Sequence, residues 1–122
     1  MSVTINIDLA GAEEFQQALS RFDSAMQNHV QTKLSDWAES VRREAERLVP
    51  VRTGYLRSTI YAKSQEWQME IGAEAAYAAA VEFGTSFTQA KPYLNPAIQT
   101  HLPELERVLL QALDSAKTEA NL

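Results

Sequence analysis

The side chains able to do chemistry are few in this 122-residue chain, and they are poorly spaced for catalysis. His29 and His101 are far apart, and neither has a second histidine at the spacing of a metal site. Ser58 and Ser86 stand outside any strand–turn–helix nucleophile motif. There is no cysteine, which excludes thiolate chemistry, and no glycine-rich phosphate loop. We therefore expect both histidines to be surface or boundary residues.

The acidic side chains give no clear acid–base pair either. Two pairs of glutamates are each two residues apart in predicted helices, which places their members on different faces: Glu44 with Glu46, and Glu104 with Glu106. Glu70, Glu74 and Glu82 could converge only through the tertiary fold. The sequence thus predicts no catalytic residue, no cofactor and no metal site. A small hydrolase is a rival hypothesis, which a cluster of perturbed acids in a pocket would favour.

Charge is unevenly distributed along the chain. The total is −5, which disfavours a general nucleic-acid binder. Residues 42–63 contain six basic and two acidic side chains, a net charge of +4, so the rest of the chain carries −9. This segment could attract an acidic partner, including a second copy of the chain. The alternative function is a cytoplasmic nucleic-acid-binding module that uses residues 42–63, which salt-dependent retention on DNA would reveal.

Two stretches combine glycine, threonine, charge and large apolar residues. Residues 49–57 read VPVRTGYLR, residues 81–85 read VEFGT, and the motif KPYL follows at 91–94. Three of the four glycines and three of the four prolines lie between Val49 and Pro96. Such clusters fix backbone turns and present charge at defined positions, which is typical of a shaped surface.

Periodicity predicts the elements that position these stretches. Alternation of apolar and polar residues over 2–9 indicates a strand. Apolar residues then recur every three or four positions over 12–48, which indicates a helical region. Because a single helix to residue 48 would be about 55 Å long, we expect a break near residues 27–29, or else one helix that projects from the body. Pro50 ends the region, since proline disfavours helical geometry at the residue before it.

The remaining elements complete one α+β domain over residues 1–122. Strand-forming residues predict a hairpin over 55–72 with a loop of three to five residues. The alanine-rich stretch 73–81 predicts a short helix at best. Residues 96–116 predict a C-terminal helix, in which Pro103 marks a kink or the start of a second segment. The predicted fold is a small antiparallel sheet, made by the N-terminal strand and the central hairpin, packed against long N-terminal helices and a C-terminal helix.

The two stretches, in this order and with helical flanks, resemble the hallmarks of a known family. Residues 46–60 read ERLVPVRTGYLRSTI, residues 77–85 read YAAAVEFGT and residues 90–97 read AKPYLNPA. They are similar to the small neck proteins of tailed bacteriophages, also called head–tail connector, head–tail joining or tail-completion proteins. The resemblance covers about residues 37–113. Lys91 departs from it, because arginine is more usual there.

The resemblance implies a virion structural protein without catalytic activity. Such proteins are made in the host cytoplasm and assemble as a homo-oligomeric ring, a hexamer or a dodecamer, in the neck at the head–tail junction. It implies contacts with portal-side connector proteins and with the tail terminator or tail tube protein. Phage DNA would pass through the channel without sequence-specific binding, and no membrane is involved. The N-terminal residues show no signal-peptide pattern, so export is not expected.

The residues expected to form the subunit or partner interface come from both stretches. They are Arg52, Thr53, Gly54 and Arg57 from the first, and Glu82, Phe83, Gly84, Thr85, Lys91 and Tyr93 from the second. We expect Arg52 or Arg57 to approach Glu82 or another acid, either within the fold or on a neighbour. Gly84 is expected to need a positive φ, which only glycine adopts without strain. Phe83 is expected to be a buried anchor.

Overall fold

Three short strands and four helices make up the part of the chain that the computed structural model describes, which is residues 2–9, 24–65 and 67–120 with positions 13, 17 and 20. In chain order these elements are β1 (Val3–Asp8), α1 (Ser24–Leu48), α2 (Tyr55–Ser58), β2 (Ile60–Gln65), β3 (Gln68–Ala73), α3 (Ala78–Phe83) and α4 (Leu94–Ala120). The prediction of an α+β fold is confirmed.

The strands form one antiparallel sheet with β3 in the centre. β1 pairs with β3 so that Val3 lies opposite Ala73, and β2 pairs with β3 so that Ile60 lies opposite the same residue. The predicted sheet, an N-terminal strand beside a central hairpin, is therefore confirmed. β3 contributes the buried side chains of Met69 and Ile71, since it lies between the other two strands and packs against α1.

α1 organises the core. It packs against β2 and β3 and also against α4. Its buried side chains recur every three or four positions and form the predicted apolar stripe: Val30, Leu34, Trp37, Val41 and Ala45. Trp37 Nε1 donates a hydrogen bond to the carbonyl oxygen of His101 in α4 at 2.6 Å. The sheet and the two long helices therefore share one core.

The prediction for residues 12–48 needs one correction. α1 is continuous from Ser24 to Leu48, so the break expected near residues 27–29 is wrong. At about 38 Å, a helix of this length fits within a domain of this size. Positions 13 and 17 are helical and Ser20 lies in a turn, while the rest of 10–23 falls outside the described residues.

The hairpin starts later than predicted. Residues Tyr55–Ser58 form the short helix α2 rather than the beginning of a strand, and β2 starts at Ile60. A local hydrogen bond competes with the strand propensity of these residues, since Ser58 Oγ donates to the carbonyl oxygen of Tyr55 at 2.6 Å. Two residues separate β2 from β3, not the three to five expected.

The last two helices also differ from their predicted bounds. α3 begins and ends later than residues 73–81, and α4 begins earlier and ends later than residues 96–116. α4 is one helix that contains Pro103, so the alternative in which Pro103 starts a second segment is wrong. Pro96 lies in its first turn as predicted, where its missing N–H leaves no helical hydrogen bond unmade.

Candidate functional site

The turn between α1 and α2 is exposed but anchored at both ends. Val49 and Leu56 are buried, whereas the residues between them are largely exposed. Gly54 has a φ of +83°, in the left-handed region that glycine adopts readily, and α2 begins at the next residue. The two buried anchors and the glycine turn therefore fix Arg52 and Thr53 relative to the core.

A surface groove joins this turn to the start of α3. Tyr55 and Tyr77 contribute its aromatic side chains, with ring centroids 6.4 Å apart and ring planes tilted by 44°. The groove has a volume of about 620 Å³, and its lining also includes Pro50, Arg52, Thr53, Leu56 and Val81. We call this surface the tyrosine groove.

The surface around the tyrosine groove includes solvent-exposed apolar side chains. Tyr55 is 57% exposed and Tyr77 is 45% exposed, and the neighbouring Val51 is exposed as well. Tyrosine is common at protein interfaces because it combines a large contact area with a polar tip. Grouped exposed apolar side chains mark a contact site more often than a plain surface. The groove is therefore the strongest candidate site in the part of the chain that the structure describes.

The arginines beside the groove form no ion pair with the described residues. Arg52 lines the groove and Arg57 is exposed on α2. By contrast, two arginines of α1 pair with glutamates one turn away in the same helix: Arg42 with Glu39 and Glu46, and Arg47 with Glu44. Part of the basic segment 42–63 is thus neutralised within α1, while the charges beside the groove are available to a partner.

Glu82 is buried, with 2% of its surface exposed, and it faces the start of α4. Its carboxylate accepts hydrogen bonds from the backbone N–H groups of Tyr93 (3.0 Å), Leu94 (2.8 Å) and Asn95 (3.2 Å), and from the Asn95 side-chain amide (3.0 Å). N–H groups at a helix start have no helical acceptor, and the helix dipole favours negative charge there. Glu82 therefore caps α4 from inside the subunit, and it forms no ion pair with the described arginines.

Tyr93 is buried beside this cap and joins α3 to α4. Its hydroxyl donates a hydrogen bond to the carbonyl oxygen of Ala78 at 3.2 Å. Burial, with the nearby negative charge of Glu82, raises the pKa of the Tyr93 phenol above its ordinary value, so the hydroxyl stays protonated. Tyr93 and Glu82 thus act inside the subunit, whereas the other predicted interface side chains reach the surface: Arg52, Thr53, Arg57, Phe83, Thr85 and Lys91.

Phe83 lies on the outside of α3, so the expectation of a buried anchor is wrong. Ala78 and Glu82 are four residues apart, share one face of the helix and are both buried. Phe83, one position further along, is 61% exposed. Its ring adds exposed apolar area to the surface of α3.

Gly84 ends α3 in a conformation that other residues avoid. Its φ is +76° and its ψ is 174°, a region essentially restricted to glycine, which confirms the predicted positive φ. A Cβ atom here would lie 2.8 Å from the backbone nitrogen of Ala90 and 3.0 Å from the carbonyl oxygen of Thr88. Both the conformation and the close approach therefore require glycine.

Residues 84–91, which we call the Phe87 loop, are closed at the base and carry an exposed aromatic ring. The Lys91 N–H donates to the carbonyl oxygen of Val81 at 2.8 Å, which ties the two ends together. The Thr85 N–H donates to the carbonyl oxygen of Thr88 at 2.9 Å and closes a turn around the tip. Phe87 at this tip is 97% exposed. The loop is thus supported by backbone hydrogen bonds while its apolar side chain is in water.

Comparison with known proteins identifies the family of the chain. A family profile described as “Bacteriophage HK97-gp10, putative tail-component” matches residues 13–84, more than half of the chain. The chain belongs to this HK97-gp10-like family. The resemblance to the phage neck proteins is thereby confirmed at the family level. No curated protein and no solved structure gave a significant match.

Membership of the HK97-gp10-like family supports a structural role in the bacteriophage virion, as a tail component. The matched residues include α1, the whole lining of the tyrosine groove and α3. The match ends at Gly84, so Phe87 and α4 lie beyond it. The groove is therefore part of the family-matched region, and the loop tip follows directly after it.

Side chains that could bind a metal ion are scattered among the described residues. No three His, Cys, Asp or Glu side chains among them lie close enough to hold a metal ion. His29 is exposed, and His101 is half-buried with its Nδ1 3.2 Å from Glu104 Oε2, so both are surface or boundary residues as predicted. None of the helices in this part of the chain has the length and apolar character to cross a membrane.

The predicted interface residues leave out several contact candidates. Phe87 stands at the loop tip, and five omitted residues line the groove: Pro50, Tyr55, Leu56, Tyr77 and Val81. A signal for Phe87 was present, since it is the single aromatic residue within TSFTQ at 85–89, and an isolated ring among polar residues cannot form a core. No such signal exists for Val81, because its exposure depends on how α3 packs.

Proposed function

We propose that this chain forms a homo-oligomeric ring in the phage neck and joins the DNA-filled head to the tail, without catalysing a reaction. The observation that carries the proposal is the tyrosine groove, whose lining includes Arg52, with Arg57 exposed on the adjoining helix α2. Two stretches that are separate in the sequence meet to form this exposed apolar and cationic surface. A surface of this composition suits a protein–protein contact.

A closed ring requires two different faces on each subunit, because a head-to-tail interface joins unlike surfaces. The tyrosine groove and its arginines supply a cationic face. The net charge of −9 outside residues 42–63 supplies acidic surface on the next subunit. Complementary charge guides association and disfavours wrong orientations. Six or twelve copies would close the ring.

The predicted interface residues divide into two groups in this proposal. Those in the first group contact the neighbour directly or shape the contacting turns: Arg52, Thr53, Gly54, Arg57, Phe83, Gly84, Thr85 and Lys91. Glu82 and Tyr93 are positioning residues, since they hold α3 and the start of α4 together beneath the surface. The acid that meets Arg52 or Arg57 is then on a neighbouring chain.

The ring would lie between the portal-side connector proteins and the tail terminator or tail tube protein. Phage DNA would pass through its channel without sequence-specific binding, which agrees with a total charge of −5. The pairing of Arg42 and Arg47 inside α1 also leaves less free positive charge for a DNA phosphate backbone. The proposal includes no cofactor, no metal and no membrane.

Charge reversal tests the role of the groove in assembly. Arg52→Glu should weaken subunit association at least about tenfold, because it places a like charge against the acidic neighbour. Native mass spectrometry and negative-stain images would report the loss of rings, and infectivity would fall with it. Arg43→Glu makes the same charge change at an exposed position of α1 and is the matched control. If Arg52→Glu assembles and infects like the unmodified protein, the contact is not where we place it.

A further inference from the structure

The Phe87 loop presents an aromatic side chain that its own subunit does not cover. Phe87 is 97% exposed, and residues 85–89 around it are otherwise polar and uncharged. The base of the loop is fixed by the hydrogen bond from the Lys91 N–H to the Val81 carbonyl oxygen and by the Glu82 cap on α4. A supported loop with an apolar tip in water suits a side chain that a partner buries.

The tyrosine groove has the complementary properties. Its volume of about 620 Å³ accommodates a phenyl ring, and Pro50, Leu56 and Val81 give it apolar walls. The rings of Tyr55 and Tyr77 are tilted by 44° to each other. An entering ring that stacks on one tyrosine is therefore tilted by 44° to the other, so it can contact both rings while it is covered by the apolar walls.

We propose that Phe87 of one subunit inserts into the tyrosine groove of the next copy of this chain in the ring. This contact rests on the proposed function, because it specifies how neighbouring subunits meet. Its two halves are different surfaces of the same chain, so the pairing is head-to-tail and repeats around a closed ring. Phe87 cannot fill its own groove, since it is almost fully exposed in its own subunit.

Charge favours a second copy as the occupant of the groove. Arg52 and Arg57 stand beside it without an ion pair to the described residues, and outside 42–63 the approaching chain carries −9. Residues 85–89 bring no charge to the rim, and the one charged residue of the loop, Lys91, lies at its base, so the inserted tip itself does not repel the arginines. The body of the neighbour therefore supplies the electrostatic attraction, and Phe87 supplies the buried apolar area.

The absence of cysteine permits a cross-linking test in an unmodified background. In a Thr53→Cys/Ser86→Cys double variant, one thiol lies on the groove and the other lies beside Phe87, and both positions are exposed. A short bismaleimide should convert rings of this variant, in the isolated protein and in purified particles, into a ladder of covalent oligomers. Thr53→Cys/Ser64→Cys places the second thiol on β2 and is the matched control, which should remain monomeric on a denaturing gel.

Removal of the phenyl ring gives an independent readout. Phe87→Ala should weaken ring formation roughly 10- to 100-fold, which corresponds to exposing a buried phenyl side chain. Thermal unfolding of the subunit should stay unchanged, because Phe87 touches little of its own chain. Phe87→Leu keeps most of the apolar surface and should recover most of the assembly. Leu110→Ala removes an exposed apolar side chain of α4 and should assemble normally.

The outcomes separate this contact from the proposed function. A cross-linked ladder together with weakened Phe87→Ala rings supports the contact. Rings that form with normal strength in Phe87→Ala and give no link between positions 53 and 86 would overturn it, while the neck ring itself would stand. A chain that forms no ring in solution and occurs in particles as isolated copies would contradict both.

Discussion

Glu82 and Phe83 are adjacent in the sequence and have different roles in the structure. The acid is buried and caps α4, whereas the aromatic residue is largely exposed. A charged residue is rarely buried unless its charge is satisfied, and four N–H donors satisfy this one. Glu82 therefore sets the position of the Phe87 loop relative to α4 from inside the subunit.

Substitution of Glu82 should cost stability before it affects assembly. Glu82→Ala removes the acceptor for four N–H groups and should lower the free energy of unfolding by about 3 kcal/mol. Glu82→Gln keeps one acceptor oxygen and should cost about half as much. Urea denaturation measures both, with Glu74→Ala as a control at an exposed acid that should change little. Equal stability of Glu82→Ala and the control would show that the cap contributes nothing.

At the scale of the structural element, the position of the Phe87 loop depends on the backbone conformation of Gly84. Gly84→Val should force the loop out of its position, because the new side chain meets the backbone of Thr88 and Ala90 and the φ of +76° is strained for valine. We expect a loss of about 1–3 kcal/mol in the free energy of unfolding, with the subunit still folded, and a complete loss of rings. Circular dichroism during heating and native mass spectrometry would measure the two effects.

The Gly54→Ala variant serves as the comparison for the stability measurement. Gly54 also has a positive φ, but an added Cβ there meets nothing within 4 Å. The alanine variant should therefore show the backbone strain without displacing a loop. If Gly84→Val forms rings as readily as the unmodified protein, the geometry of the Phe87 loop is not needed for assembly.

Long periodic elements could be predicted from the sequence, and short ones could not. The apolar stripe of α1 repeats over many turns, so its buried face was correctly inferred. Tyr55 and Thr59 favour a strand where α2 forms, yet local hydrogen bonds close a helical turn there. α3 is six residues long, which is too short for periodicity to tell which face is buried.

The candidate site can be predicted only in part, because the sequence reveals local turns and does not reveal contacts made by the tertiary fold. The turn that contains Arg52 and Thr53 can be predicted from the sequence, because Pro50 and Gly54 define it locally. The role of Glu82 depends on α4, whose start lies about a dozen residues further along the chain, so only the tertiary fold reveals it. The tyrosine groove likewise exists only because α2 and α3 come together.

At the scale of the whole molecule, the chain carries two unlike surfaces that stay exposed in a single copy. One is the tyrosine groove with Arg52, which forms no ion pair with the described residues, and the other is the Phe87 loop on a chain of net negative charge. A phage tail-component family, a formal charge of −5 and exposed apolar side chains all agree with a protein that is completed by its neighbours.

A cryo-EM map of the neck in the assembled particle tests the central claim most directly. We predict a closed ring of this chain between the portal-side proteins and the tail tube, in which each tyrosine groove is covered by the next subunit. A map in which the chain lies elsewhere in the particle, or in which it occurs without contact between its copies, would contradict the account.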